Sequence, residues 1–170
     1  QRQEINGYEI QKYLSEQPNV CDYIPKIFQY GSFLNNTSEE QLGVYSIMEK
    51  VQGGELISRI YDDNTFKGQN DKIKTIFTNM VKAVNCLHKN VPPIGHYDIK
   101  PESFLMVYTN KSDEPNKDTE IKLIDFGLSK TDTVSEAVGT PIFIAPEIWD
   151  SKSTPPVEFY KSDIWSLGCI

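Results

Sequence analysis

The run His96-Tyr97-Asp98-Ile99-Lys100-Pro101-Glu102-Ser103, read with Asp125-Phe126-Gly127 downstream, constrains this chain more than any other stretch. The first piece sets a carboxylate and an ammonium group two residues apart on a loop. The second sets another carboxylate ahead of a glycine, directly after the apolar run Ile121-Lys122-Leu123-Ile124, which reads as a short strand. A carboxylate that can accept a proton, a lysine that can hold a phosphate and a carboxylate that can hold a divalent cation are the parts that phosphoryl transfer needs.

The remaining elements follow from periodicity. Ile5, Tyr8, Ile10, Tyr13 and Leu14 have roughly helical spacing, interrupted by Gly7 and closed by Pro18-Asn19. Residues 24–34 and 42–48 are rich in β-formers and flank the polar tract 35–41, which predicts a hairpin. Gly53-Gly54 marks a turn. Residues 70–89 carry the clearest helical pattern, with Asn70 or Asp71 able to cap it. Ile73, Ile76, Phe77, Met80, Val81, Val84 and Leu87 form one apolar stripe on it, which reads as core. His88 at its end reads as a capping or surface histidine. After Val91-Pro92-Pro93, a strand is expected over 104–108, a solvated loop over 109–119 and a partner strand over 121–124. Strands ending at Leu105 and Ile124 would bracket a site between them.

The order of these pieces resembles the catalytic domain of eukaryotic protein kinases over nearly the whole chain. Met48 to Leu56 is similar to the kinase hinge, 96–103 to the catalytic loop and 125–127 to the metal-binding motif. Gly139 to Glu147 is similar to the end of the activation segment, and Ser162 to Gly168 to the start of the large central helix. The resemblance implies an α+β, two-lobe fold in truncated form. Residues 1–48 would be a remnant of the small β-rich lobe, 49–52 the hinge, and 53–170 the first part of a mainly helical large lobe. It implies ATP and Mg²⁺ as cofactors and a protein substrate bearing a serine or threonine hydroxyl.

Site residues follow from the same resemblance. Asp98 would orient the substrate hydroxyl and accept its proton, and Lys100 would neutralise the transferring phosphoryl group. Asp125 would hold Mg²⁺, with Gly127 permitting the turn that aims it inward. Met48 would sit behind adenine, Leu105 and Ile124 against it, backbone groups of Glu49 and Val51 would bond the base, and Glu55 would reach the ribose. Thr140 would bridge Asp98 and Lys100, and Glu102 would help to position substrate. Lys100 and Gly139-Thr140-Pro141 mark the serine/threonine class, and the wording around Gly53 to Leu56 and Asp125 to Lys130 resembles the calcium/calmodulin-dependent branch.

Three departures stand out. Ser103 occupies the position of an asparagine that binds a second metal, so any metal role there is weak. Tyr97 stands where the family has an arginine that reads activation-segment phosphate, so phosphorylation of Thr131, Thr133 or Ser135 is expected to do less. The glycine-rich loop and strand lysine are absent upstream, and Gly7 falls at the position of the lysine's glutamate partner, with Glu4 and Glu9 as alternatives in another register. The chain opens without methionine and ends on an apolar run, so it is expected to be a piece with parts missing at both ends, and the isolated polypeptide to transfer little phosphoryl. The departures leave a rival reading, a pseudokinase-type binding or scaffolding module.

Composition narrows the partners. The formal charge of −7 is spread without long acidic runs, which argues against nucleic acid or a membrane surface. There is no signal-like or long apolar stretch. Cys21, Cys86 and Cys169 are far apart in sequence and odd in number, and read as reduced, mostly buried thiols of an intracellular, cytoplasmic protein. Two histidines without Cys/His spacing argue against zinc. No regulatory partner can be read from these residues.

Overall fold

Helix α1 (Arg2–Glu16) runs unbroken through Gly7, where an interruption is expected. A glycine inside a helix costs about 1 kcal/mol relative to alanine, and tertiary packing readily overrides that preference. The computed structural model describes residues 2–17, 21–35, 41–62, 66–107, 120–131, 137–149 and 159–170. The expected stop at Pro18-Asn19, the loop 109–119, and Thr133 and Ser135 lie outside them.

Strands β1 (Ile27–Leu34) and β2 (Gln41–Met48) form an antiparallel hairpin pairing Ile27 with Met48 and Tyr30 with Ser46. The ladder extends one step further, where the Glu49 N–H donates to the Lys26 carbonyl at 2.8 Å. The chain then crosses β3 (Phe104–Met106). Gly53 N–H donates to Met106 O at 2.9 Å and Met106 N–H to Gly54 O at 2.8 Å. A Cβ on Gly53 would lie 2.1 Å from the Met106 carbonyl oxygen. The glycine pair is therefore a strand-like crossing as well as a turn, and only a residue without a side chain lets the backbones approach so closely.

Short helix α2 (Leu56–Ile60) leads to α3 (Asn70–His88). The N-cap of α3 is Gln69, with no side-chain capping bond, so Asn70 and Asp71 lie inside the helix rather than capping it. The Asp71 carboxylate in the first turn still complements the helix dipole. The apolar stripe is only partly core. Ile76, Met80, Ala83, Val84 and Leu87 are buried, whereas Ile73, Phe77 and Val81 are 40–44% exposed. These three lie at i, i+4 and i+8 and form a row rotated away from the contact face.

Strand β3 pairs antiparallel with β4 (Ile121–Leu123), Phe104 facing Leu123 and Met106 facing Ile121. Alternation puts Phe104, Met106, Ile121 and Leu123 in the core and leaves Leu105 and Lys122 half-buried on the opposite face. A single cluster joins Leu14 of α1, Met80 and Leu87 of α3, Ile99, Phe104 and Leu123. Full burial of each such side chain is worth roughly 1.5–3 kcal/mol. The chain continues through α4 (Pro146–Trp149) to α5 (Ser162–Gly168). The result is α+β: a helix and a hairpin followed by a mainly helical part. Among the described residues no helix is long and apolar enough to cross a membrane.

Candidate active site

Asp98 and Lys100 meet at the centre of the loop between α3 and β3. Lys100 Nζ donates to Asp98 Oδ2 at 2.6 Å and to Thr140 Oγ1 at 3.0 Å. Thr140 donates twice to Asp98 Oδ1, from its hydroxyl at 2.7 Å and its N–H at 2.9 Å. Half-burial pushes the Asp98 carboxyl up, but the bonds from Lys100 and Thr140 and the lysine charge outweigh it, holding the group below the usual carboxylate range. Asp98 is thus an anion oriented by its partners.

Buried groups hold this loop in place. Asp163 of α5 is 0% exposed and accepts from His96 N–H and Tyr97 N–H, each at 2.9 Å, and from His88 Nε2–H at 2.9 Å. His88 is therefore not a capping or surface group. Its carboxylate partner comes from a distant helix. His96 is fully buried; its Nε2–H donates to Ile124 O at 3.0 Å, and Nδ1 accepts from Asp98 N–H at 3.3 Å. That pattern assigns the neutral Nε2–H tautomer, and burial lowers the imidazole pKa against the pull of Asp163.

Ser103 Oγ donates to Asp98 O at 2.7 Å, and the residue is 1% exposed. The expected weak metal ligand is thus turned onto the loop backbone, which it braces. Tyr97 takes a left-handed φ of 65° and buries its ring. It packs with Ala145 and Ile148, against Leu128, Val138 and Ile144. An apolar contact to the segment after Asp125 occupies the place of a charged one.

Asp125 stands at the other end of the same framework. Ile124 is gripped from both sides, donating to Ser103 O at 2.8 Å and accepting from His96. A two-residue bridge, Gly95 to Lys130, ties the loops again. The turn is made by Asp125 itself, which has a φ of 67°, and not by Gly127 as expected. A Cβ on Gly127 would meet only the Asp125 Oδ1 at 3.4 Å. Left-handed non-glycine residues are held by their surroundings, and among the described residues the two examples, Tyr97 and Asp125, fall in the two loops of the site.

Asp125 borders a cavity of about 470 Å³. Met48, Leu105 and Ile124 line it, together with Ser46, the Phe126-Gly127 backbone turn, and Gly7, Tyr8 and Gln11 of α1. Tyr8, Gln11 and Ser46 carry no local motif that marks them in the sequence, whereas Gly7 falls where the resemblance puts the partner of the strand lysine. Glu49, Val51 and Glu55 are not part of this lining. Glu49 N–H is bonded to Lys26, and its side chain pairs with Lys122 at 3.6 Å, so of its backbone groups the carbonyl is left to meet a base. Glu55 is exposed and forms a β-bridge with Leu105. Glu102 is exposed in the turn that follows Lys100. The cavity has the size and apolar lining of a small-molecule site. Asp125 offers hard carboxylate oxygens at its edge, a donor type that suits magnesium when phosphate oxygens complete the shell. Among the described residues no cluster of three acidic, histidine or cysteine side chains could hold a metal alone.

Comparison with known proteins decides what this framework is. The protein kinase domain matches residues 8–170. The chain belongs to the protein kinase family. Relatives include a calcium/calmodulin-dependent protein kinase type 1 of Caenorhabditis elegans, 36% identical over 141 residues, covering 81% of this chain and 36% of the relative. Calcium-dependent protein kinase 11 of Arabidopsis thaliana is 32% identical over 168 residues, 95% of this chain and 28% of the relative. The DNA damage response protein kinase DUN1 of Saccharomyces cerevisiae is 30% identical over 169 residues, 91% of this chain and 30% of the relative. The kinase chain described here thus spans about a third of the length of these relatives.

Proposed function

We propose that the whole protein transfers the γ-phosphoryl group of ATP to serine or threonine hydroxyls of protein substrates. The observation that carries this reading is the bonded set Asp98–Lys100–Thr140, tied through His96 and Ile124 to Asp125. Asp98 would orient the incoming hydroxyl and take its proton, and Lys100 would offset charge on the phosphoryl oxygens. Met48, Leu105 and Ile124 would enclose the base, with the Glu49 carbonyl and Val51 backbone along its edge and Glu55 at the ribose. Asp125 would hold Mg²⁺, which when bound neutralises phosphate charge. Thr140 and Glu102 would position substrate. On this reading residues 1–48 serve as small lobe, 49–52 as hinge and 53–170 as large lobe, and the protein acts inside the cell.

Phosphate incorporation by the full-length protein and its Asp98→Asn variant tests the proposal. Incorporation by the parent and a loss of about 10²–10⁴-fold in the variant are expected for a general base. Equal signal from both overturns it.

A second reading, a pseudokinase-type binding module, is favoured by two specific observations. Ser103 is turned to the Asp98 carbonyl, and Gly7 offers no carboxylate where α1 meets Phe126. Nucleotide binding without turnover in the full-length protein would select it.

A further inference from the structure

Gly95 has no side chain, yet its backbone does not call for glycine. Among the described glycines a positive φ occurs at Gly54, Gly68 and Gly139, and not at Gly95. Its backbone is pinned instead: its N–H donates to Lys130 O at 2.9 Å, and its carbonyl accepts from Lys130 N–H at 3.0 Å. What a side chain here would meet is the far end of the Tyr97 ring. A Cβ on Gly95 would stand 2.4 Å from Cζ, 2.6 Å from Cε2 and 2.8 Å from Oη of Tyr97. The bare α-carbon is thus the seat of that ring.

Tyr97 in turn grips the segment that carries Thr140, and does so on both sides of it. After Thr140, the buried ring packs with Ala145 and Ile148. Before Thr140, the Tyr97 carbonyl lies against Gly139, where a Cβ would stand 2.4 Å from the carbonyl oxygen. Between these two contacts Thr140 donates its N–H and its hydroxyl to Asp98. The Tyr97 backbone cannot retreat, because its N–H is held by Asp163 Oδ1 at 2.9 Å.

We infer that Gly95 is a positioning residue for the phosphoryl transfer proposed above: by leaving its α-carbon bare it seats Tyr97, and through Tyr97 it sets Thr140 on Asp98. The inference rests on that reading for its effect on rate, though not for the geometry. A methyl group at position 95 must either break the paired backbone to Lys130 or push the ring. The ring end is a side chain, so it yields first, into an off-rotamer position among Ala145 and Ile148. The segment then loosens where Thr140 needs it fixed, and a small misplacement of a positioning group is expensive in rate. Neither Gly95 nor Tyr97 lines the cavity bounded by Met48, Leu105 and Ile124, so nucleotide binding is left alone.

A double-variant cycle in the full-length protein tests this, with ATP and casein as acceptor. Gly95→Ala is expected to lower kcat about tenfold to a hundredfold, with KM for ATP unchanged. Tyr97→Leu removes Cζ, Cε2 and Oη, the atoms that collide, so adding Gly95→Ala to it should cost nothing further. Equal losses in both backgrounds, or a loss confined to KM for ATP, would overturn the inference. Hydrogen exchange reads the same coupling without activity. Gly95→Ala should speed exchange over 138–148 while leaving 70–88 unchanged, and the Tyr97→Leu background should abolish that difference. Unaltered exchange over 138–148 in Gly95→Ala would overturn it too. A parent that turns over no casein yet shows the expected exchange pattern counts against phosphoryl transfer and keeps Gly95 as the seat of Tyr97. Should Gly95→Ala alone fail to fold, the double variant must fold as Tyr97→Leu does, and a double variant equally unfolded would sink the coupling.

Discussion

The α-carbon of Gly7 rests on the peptide of Phe126, so close that a β-carbon would stand 2.3 Å from the Phe126 carbonyl oxygen and 2.7 Å from its carbon. Helix α1 and the Asp125 turn therefore meet backbone to backbone.

That contact reverses a familiar rule. Glycine to alanine inside a helix ordinarily stabilises by up to about 1 kcal/mol. Here the new methyl would strike backbone that cannot rotate away, and overpacking of this kind costs about 1–3 kcal/mol. Gly7→Ala is expected to lower the urea midpoint of the full-length protein. An unchanged or higher midpoint would show that the helix can lift off the turn at no cost.

Thr140 is expected to act through position. Thr140→Val keeps the shape and removes the hydroxyl that donates to Asp98 and accepts from Lys100. Hydrogen bonds to charged groups are worth about 1.5–3 kcal/mol. On the proposed reading kcat should fall roughly tenfold to a hundredfold, with KM for ATP little changed. Steady-state kinetics on the full-length protein separate the two quantities, and a loss confined to KM would contradict the assignment.

Tyr97 binds the following segment by apolar contact, so its removal should be felt in stability. At 7% exposure, Tyr97→Ala opens a cavity among Ala145, Ile148 and Ile144. The expected loss is about 3–5 kcal/mol by chemical denaturation. Joint alanine replacement of Thr131, Thr133 and Ser135 should alter kcat less than twofold, as Tyr97 supplies no cation to read a phosphate there.

His96 sets an acid limit on stability. Its folded pKa lies below the ordinary value of 6.5, because burial disfavours the imidazolium. Between the two values the unfolded chain binds more protons, so its contribution is whole above about pH 6.5 and is lost as pH falls toward the folded value. Melting temperature should decline from pH 7 to pH 5, and His96→Gln should flatten that slope. Identical slopes for both proteins would place the acid sensitivity elsewhere. Asp98, held below the usual range, stays ionised throughout this window.

Elements with strong local patterns were legible in the residues themselves: the long amphipathic α3, both hairpins and α1. The meeting of Asp98, Lys100 and Thr140 followed from motif order, since spacing alone cannot bring residue 140 to residue 98. Contacts between distant segments left no local trace. His88 looks like a surface residue until Asp163 arrives from α5. Gly53 reads as a turn because nothing nearby in sequence announces that Met106 will pass within reach of its α-carbon. Ile73, Phe77 and Val81 have core chemistry, but which side of α3 meets the core is decided by its neighbours.

Asp163 carries one last implication, for the order in which the chain is made. The amides of His96 and Tyr97 find their acceptor in a side chain that follows them by more than sixty positions. A ribosome working from the amino end releases the catalytic loop long before that carboxylate exists outside the tunnel. Until then those N–H groups have only water to bond, and the geometry around Asp98 must wait for the later helix to be delivered.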